Sequence, residues 1–193
     1  MKWRVIKPTK ACYSIPVSGK LGLVIVANKG KSEIIVELVH EDAQALVLGI
    51  VNSKNQDSLE LKVTTVHRAP NTHAETMIHG LVAGYAQAQI KGLIQIKKKA
   101  QRVTDFLTER VLLLSSGARA IAEPELEIEA DEVRASHAAT VSSLDKNELF
   151  YLMSRGLSAP AAEKLITEGF LQHVINRIDN DKIRLQVSDY VKR

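Results

Sequence analysis

Residues 125–156 read Glu-Leu-Glu-Ile-Glu-Ala-Asp-Glu-Val-Arg-Ala-Ser-His-Ala-Ala-Thr-Val-Ser-Ser-Leu-Asp-Lys-Asn-Glu-Leu-Phe-Tyr-Leu-Met-Ser-Arg-Gly, and the hydrophobic period changes inside them. Leu126, Ile128 and Ala130 alternate with Glu125, Glu127 and Glu129, the period of a strand with one wet face. Beyond Asp145 the apolar residues Leu149, Leu152 and Met153 recur at three and four, the period of a helix. Ser136-His137-Ala138-Ala139-Thr140 falls between, placing a histidine at the expected junction.

Upstream of this stretch the strand period dominates. Ser32 to His40, Ala45 to Val51 and Leu59 to Val63 carry apolar or alternating runs, and Ala86, Ala88, Ile90, Gly92, Ile94 and Ile96 alternate with polar residues apart from Leu93. Val111 to Leu114 is apolar on both faces. Residues 1 to about 30 read as short extended pieces broken by Pro8, Pro16, Gly19, Gly22 and Gly30. No amphipathic helix intervenes over more than about a hundred residues, which disfavours βαβ units. The strands arrive at uneven intervals without Asn-Gly or Asp-Gly turns, which disfavours a meander of tight hairpins. A solenoid, a sandwich and a barrel remain open on pattern alone, with Ala86, Ala88 and Gly92 suiting a narrow solenoid interior.

The C-terminal quarter is helical. Asp145 and Glu148 form a capping-box pair, Gly156 ends that helix, and Ser158 before Ala159-Pro160 starts another. Ala162, Leu165, Ile166, Gly169, Phe170, His173 and Val174 make its expected core stripe, with His173 as a packed core histidine. Asp181 to Arg193 reads as a third short helix or a frayed tail.

Composition narrows the function classes. With 26 basic and 22 acidic residues among 193, the surplus of +4 gives little reason to expect a nucleic-acid partner. The densest basic run, Lys97-Lys98-Lys99 near Arg102, reads as a solvated strand end or loop. Aromatics at 4% are too few for a sugar- or base-stacking platform. One cysteine, Cys12, excludes a disulfide framework and fits a reducing, cytoplasmic setting. No apolar core and cleavage site follow Met1-Lys2-Trp3-Arg4, and the run Leu23 to Ala27 is far short of the ~20 residues a membrane helix needs, so neither a leader nor a membrane role is expected. No Walker loop, nucleophile–base set or catalytic carboxylate pair stands out, so a non-enzyme is expected. His67, His73 and His79 recur every six residues, but Pro70 and Asn71 interrupt any shared face.

The residues Ala130 to Val141, then Leu144-Asp145, Glu148-Leu149-Phe150-Tyr151-Leu152 and Ser154-Arg155-Gly156, resemble the signature of the SufB/SufD family of iron–sulfur cluster assembly proteins. Glu123-Pro124-Glu125-Leu126-Glu127-Ile128, the stretch Thr108 to Ser116, His67-Arg68-Ala69-Pro70 and Gly80-Leu81-Val82 extend the likeness, which spans roughly residues 32 to 176. The resemblance implies a mainly β fold, a right-handed parallel β-helix (β-solenoid) core over 1–143 with a small C-terminal α-helical region over 144–193. It implies a scaffold that dimerises through its β-helix, with itself or a SufB-like partner, and docks a SufC-type ABC ATPase through the helices.

By the same resemblance a transient iron–sulfur cluster is held at the dimer interface, and the SufD-type histidine ligand falls on His137. Leu149, Phe150, Tyr151, Arg155, Gly156 and Leu157 are the expected ATPase contacts. The SufB-type cysteine falls at or near Thr108, where there is no thiol, and Ala138 replaces the glutamate of SufB-like chains, so the likeness is to a short SufD-like member. As a lone histidine, His137 also reads as a structural hydrogen-bonder, and the helical hairpin also reads as a cap over the open end of the solenoid.

Overall fold

The computed structural model describes residues 1–191. Eleven strands precede three helices: β1 (Lys2–Ile6), β2 (Cys12–Val17), β3 (Lys20–Ala27), β4 (Gly30–Leu38), β5 (Gln44–Ser53), β6 (Ser58–His67), β7 (His73–Val82), β8 (Gln87–Ile96), β9 (Val103–Leu113), β10 (Arg119–Ile128) and β11 (Val133–Ser143). Odd-numbered strands form one six-stranded sheet in chain order, and even-numbered strands form a five-stranded sheet. Every pairing is parallel and joins a strand to the one two further along the chain. The chain therefore winds as a β-solenoid, laying one strand on each sheet per coil.

The uneven strand spacing resolves into coils. Gln44 pairs with His73, and His73 in turn with Thr104, so the chain returns to the same sheet after nearly the same length each time. The N-terminal stretch, expected as broken extended pieces, makes β1, β2 and β3 as proper strands. Pro16 is tolerated because β2 is an edge strand with an unpaired side. Gly22 sits under the Trp3 ring, where an added Cβ would lie 2.5 Å from its nearest carbon.

Alternation fills the lumen between the sheets. One inward row of the odd-numbered sheet runs Ile6, Ile25, Gly49, Ile78, Glu109, Ala139, and its neighbour runs Arg4, Leu23, Val47, Thr76, Leu107, His137. Large and small side chains interleave: a Cβ at Gly49 would stand 2.9 Å from Ile78. Each fully buried leucine or isoleucine, such as Leu23, Ile34, Ile78 and Ile90, contributes about 1.5–3 kcal/mol by leaving water. The outer face of the even-numbered sheet is a solvated charge ladder, with Lys31–Glu60, Lys62–Glu33 and Lys91–Glu125 ion pairs. Lys97, from the basic run, is tied into it by Glu127 and Glu129.

The helices α1 (Lys146–Ser154), α2 (Ala159–Ile175) and α3 (Asp181–Val191) follow. The last two residues of the expected third helix lie outside the described residues. Leu171, Val174, Ile175, Ile178 and Val187 form a second core with Val24, Val26, Leu48, Ile50, Met77 and Leu81 on the outer face of the odd-numbered sheet. The hairpin thus flanks the solenoid, and the reading of it as a cap over the open end is not met. Of the expected stripe on α2, Ala162 and Val174 are buried and Ile166 and Phe170 pack partly buried against the same core, but Leu171 and Ile175 join them while Leu165, Gly169 and His173 are exposed. The face turned because the sheet, not α1, supplies most of its partners. Asp145 caps α1 by accepting from the Asn147 N–H, and the expected reciprocal pair with Glu148 does not form. Arg177, just past the end of α2, clamps Glu75 of β7 with its two terminal guanidinium nitrogens, at 2.8 and 2.5 Å.

Candidate functional site

The solenoid ends on β10 and β11, which leave one edge of each sheet without a strand partner among the described residues. Their inward-facing apolar residues have no coil above them, so Leu126, Ile128 and Val141 are 38%, 41% and 39% exposed. His137 belongs to this surface. It lies in the middle of β11 rather than at the expected junction, because Thr140 and Val141 continue the strand in register with Arg110 and Val111. Its side chain is exposed and takes the inward parity of Leu107, its partner on β9. Thr108 has the opposite parity and pairs with Ala138, so the inward neighbours of His137 on β9 are Leu107 directly and Asp105 and Glu109 diagonally.

Beneath this mouth the lumen is polar. Asp105 Oδ2 accepts from the Thr65 hydroxyl at 2.6 Å and lies 3.0 Å from His67 Nε2, while His67 Nδ1 lies 2.7 Å from Thr72 Oγ1. All four residues are buried. The arrangement resembles a hydroxyl–imidazole–carboxylate relay, but no substrate reaches it, and it ties strands β6 and β9 across the lumen.

Glu109 is fully buried, and neither carboxylate oxygen has a hydrogen-bond partner among the described residues. Burial pushes its carboxyl up to about 7, with repulsion from Glu123 adding to the rise. The Gly92 N–H pulls the other way without completing a hydrogen bond. Gly92 makes room for this group: an added Cβ would stand 2.6 Å from Glu109 Oε1 and 2.5 Å from Leu107. Thr76 Oγ1 and Asp105 Oδ1 are likewise buried without partners. None of these groups was singled out from the sequence, although strict alternation of Val103, Asp105, Leu107, Glu109 and Val111 marks both acids as inward-facing.

The helical side carries a second surface. No residue of α1 is buried, and Phe150 is 72% exposed. Tyr151, Met153 and Arg155 are exposed beside it, with the Arg155 guanidinium 5.3 Å from the Tyr151 ring centre. Gly156, in the left-handed region at φ 97°, turns the chain toward α2, and Leu149 and Leu157 are half-buried. A cleft of about 410 Å³ opens between α1, α2 and the sheet, lined among others by Arg110, Glu148, Leu165 and His173. At its floor His79 stacks on Phe170 at 4.5 Å and on His173 at 5.6 Å, and its Nδ1 lies 2.9 Å from the Phe170 carbonyl. Burial holds the His79 imidazole down at about 4, against the opposing pull of that carbonyl, with Arg110 and His173 repelling its charged form.

The three regularly spaced histidines do not converge. His67 is in the lumen, His73 is exposed at the start of β7, and His79 is under α2. Cys12 is exposed on β2, at the other end of the solenoid from His137. Among the described residues no three histidine, cysteine, aspartate or glutamate side chains are grouped to hold a metal ion. On the last turn His137 is the one exposed imidazole, and no thiol lies near it.

The family model described as SUF system FeS cluster assembly, SufBD core domain, matches residues 22–170. The iron–sulfur cluster assembly protein SufD of Bacillus subtilis is 30% identical over 152 residues, covering 79% of this chain and 34% of the relative. An iron–sulfur cluster assembly SufBD family protein of Synechocystis is 41% identical over 98 residues, covering 51% and 22%. The chloroplastic protein ABCI7 of Arabidopsis thaliana is 30% identical over 140 residues, covering 72% and 29%. The chain spans about a third or less of the length of these relatives.

Proposed function

Because the chain belongs to the SufBD family of iron–sulfur cluster assembly proteins, we propose that it acts as a SufD-like, non-enzymatic scaffold with two docking surfaces. The first is the mouth of the solenoid. The free edges of β10 and β11 and the exposed Leu126, Ile128 and Val141 would be covered by a SufB-like chain or a second copy, which removes both the open ladder and the apolar exposure. His137 stands on that surface and offers an imidazole to a nascent cluster passed between the chains. The second is α1, where Phe150, Tyr151 and Arg155 would receive a SufC-type ATPase. The observation that carries this reading is a helix with no buried residue and its aromatic side chains in water, beside a cleft that joins it to the sheet. A single exposed thiol suits a reducing, cytoplasmic setting.

Co-expression with a SufC-type ATPase and a SufB-like chain tests the proposal. Phe150→Ala and Arg155→Ala should each lose the ATPase on co-purification without a change in Tm, since neither side chain supports the core. Retention of the ATPase by both variants refutes the docking surface. Anaerobic reconstitution with iron and sulfide tests His137: the assembled His137→Ala protein should hold less iron than wild type. The lack of any thiol on the last turn favours a second reading, an interaction module that kept the fold without the cluster role, and equal iron in both proteins would select it.

A further inference from the structure

The mouth of the lumen holds more than one group able to bind a metal ion. Leu107 is paired by Thr76 on one side and by His137 on the other, and Asp105 and Glu109, two residues to either side of Leu107, are the diagonal inward neighbours of both. Diagonal neighbours on adjacent strands stand about 7–8 Å apart. A glutamate and a histidine side chain close that gap through one ion, at bonds of about 2 Å to each. Only Ala139, itself exposed, pairs above Glu109 in its row, and Gly92 opposite has no side chain. The carboxylate and the Thr76 hydroxyl are buried oxygens without partners. A desolvated carboxylate in that position is stabilised by a cation more than by any neutral neighbour. Asp105 is the other diagonal neighbour and keeps an unpartnered Oδ1, but its Oδ2 is held by Thr65 and His67, whereas both oxygens of Glu109 are unengaged.

We propose that Glu109 is a second ligand, behind His137, for an incoming divalent ion of the ferrous class, held in the solenoid mouth by one carboxylate and one imidazole. Oxygen and borderline nitrogen donors suit ferrous iron before sulfide arrives, and a two-ligand set leaves coordination positions open for a partner's thiolates. Access passes the last turn, where both sheets end on an unpaired edge. The inference rests on the reading that this end of the molecule handles iron, and it adds the second protein ligand.

The test is an anaerobic titration of the full chain with ferrous iron, and with cobalt(II) as its coloured stand-in, followed by calorimetry and absorption. Wild type should bind one ion per chain. Glu109→Gln, which keeps the shape of the group, should bind at least tenfold more weakly while melting no lower than wild type, and His137→Ala should weaken binding similarly. Wild type should also show an infrared carboxyl band that changes as metal is added, a readout independent of any variant's folding. Unchanged affinity in Glu109→Gln, or no metal-dependent carboxyl band in wild type, overturns the role of Glu109 and leaves His137 and the ATPase dock standing. No metal binding by the wild-type chain overturns it as well, because both ligands lie in this chain, while co-purification of the ATPase would remain as the separate test of the scaffold.

Discussion

Replacing Glu109 by glutamine should remove a pH dependence that the burial of this one group builds into the protein. Its carboxyl titrates at about 7 in the fold, against an ordinary value of 4.5. Between these two values the folded chain holds a proton that the unfolded chain has released, so stability falls as pH rises. The cost is absent below about pH 4.5 and complete above about pH 7. At 1.36 kcal/mol per pH unit, the gap corresponds to roughly 3 kcal/mol of destabilisation at alkaline pH. Glutamine is neutral at every pH and fills the same space beside Gly92. The variant should match wild type to about 1 kcal/mol near pH 5 and exceed it by roughly 3 kcal/mol near pH 8, a rise in Tm of about 6–12 °C for a chain of this size. Urea unfolding at a series of pH values measures the difference between the two proteins, in which all other titrating groups cancel. A difference that does not change between pH 5 and pH 8 would refute the reasoning, since it would mean that water reaches the carboxylate.

Other substitutions probe the remaining contacts. His79 has the opposite linkage: its folded value of about 4 lies below the ordinary 6.5, so its contribution is present above about pH 6.5 and is lost as pH falls toward 4. His79→Phe keeps the stacking on Phe170 and should flatten acid-induced loosening of α2, followed by hydrogen exchange of that helix. Gly92→Ala should cost about 1–3 kcal/mol in urea unfolding, because the new methyl meets Leu107 and Glu109 at 2.5 and 2.6 Å. A fully stable Gly92→Ala protein would mean the lumen relaxes more than its packing implies. Asp105→Ala leaves Thr65 and His67 buried without their shared acceptor and should destabilise by about 3–5 kcal/mol. An Asp105→Ala protein as stable as wild type would show the relay to be dispensable.

The sequence was legible where alternation is strict. The β8 residues Ala88, Ile90, Ile94 and Ile96 are buried as their period requires, and the change of period after Asp145 falls where α1 begins. Legibility failed at three kinds of place. His137 reads as a junction because Ser136 and Ala138 have weak strand preference, yet register with β9 holds it mid-strand. The face of α2 was misplaced by a few residues because an apolar stripe does not say which neighbour it will meet, and the sheet drew in Leu171 and Ile175 while leaving Leu165 in water. Glu109 and Asp105 were passed over because acidic residues are counted as exposed unless something pairs them.

By itself the sequence determined the class of architecture, the helical C-terminal region and the family, all of which rest on local periodicity and on residues read in order. It also supplied His137 and the exposed aromatic residues of the first helix as candidates. Tertiary structure alone decided that the helices flank the solenoid instead of closing it, that the inward neighbours of His137 are Leu107, Asp105 and Glu109, and that a carboxylate without partners lies beneath the mouth. Those facts depend on the nearly constant length of each coil, which brings β7, β9 and β11 into register. Parallel pairing across a coil is a long-range relation, and no window of adjacent residues contains it.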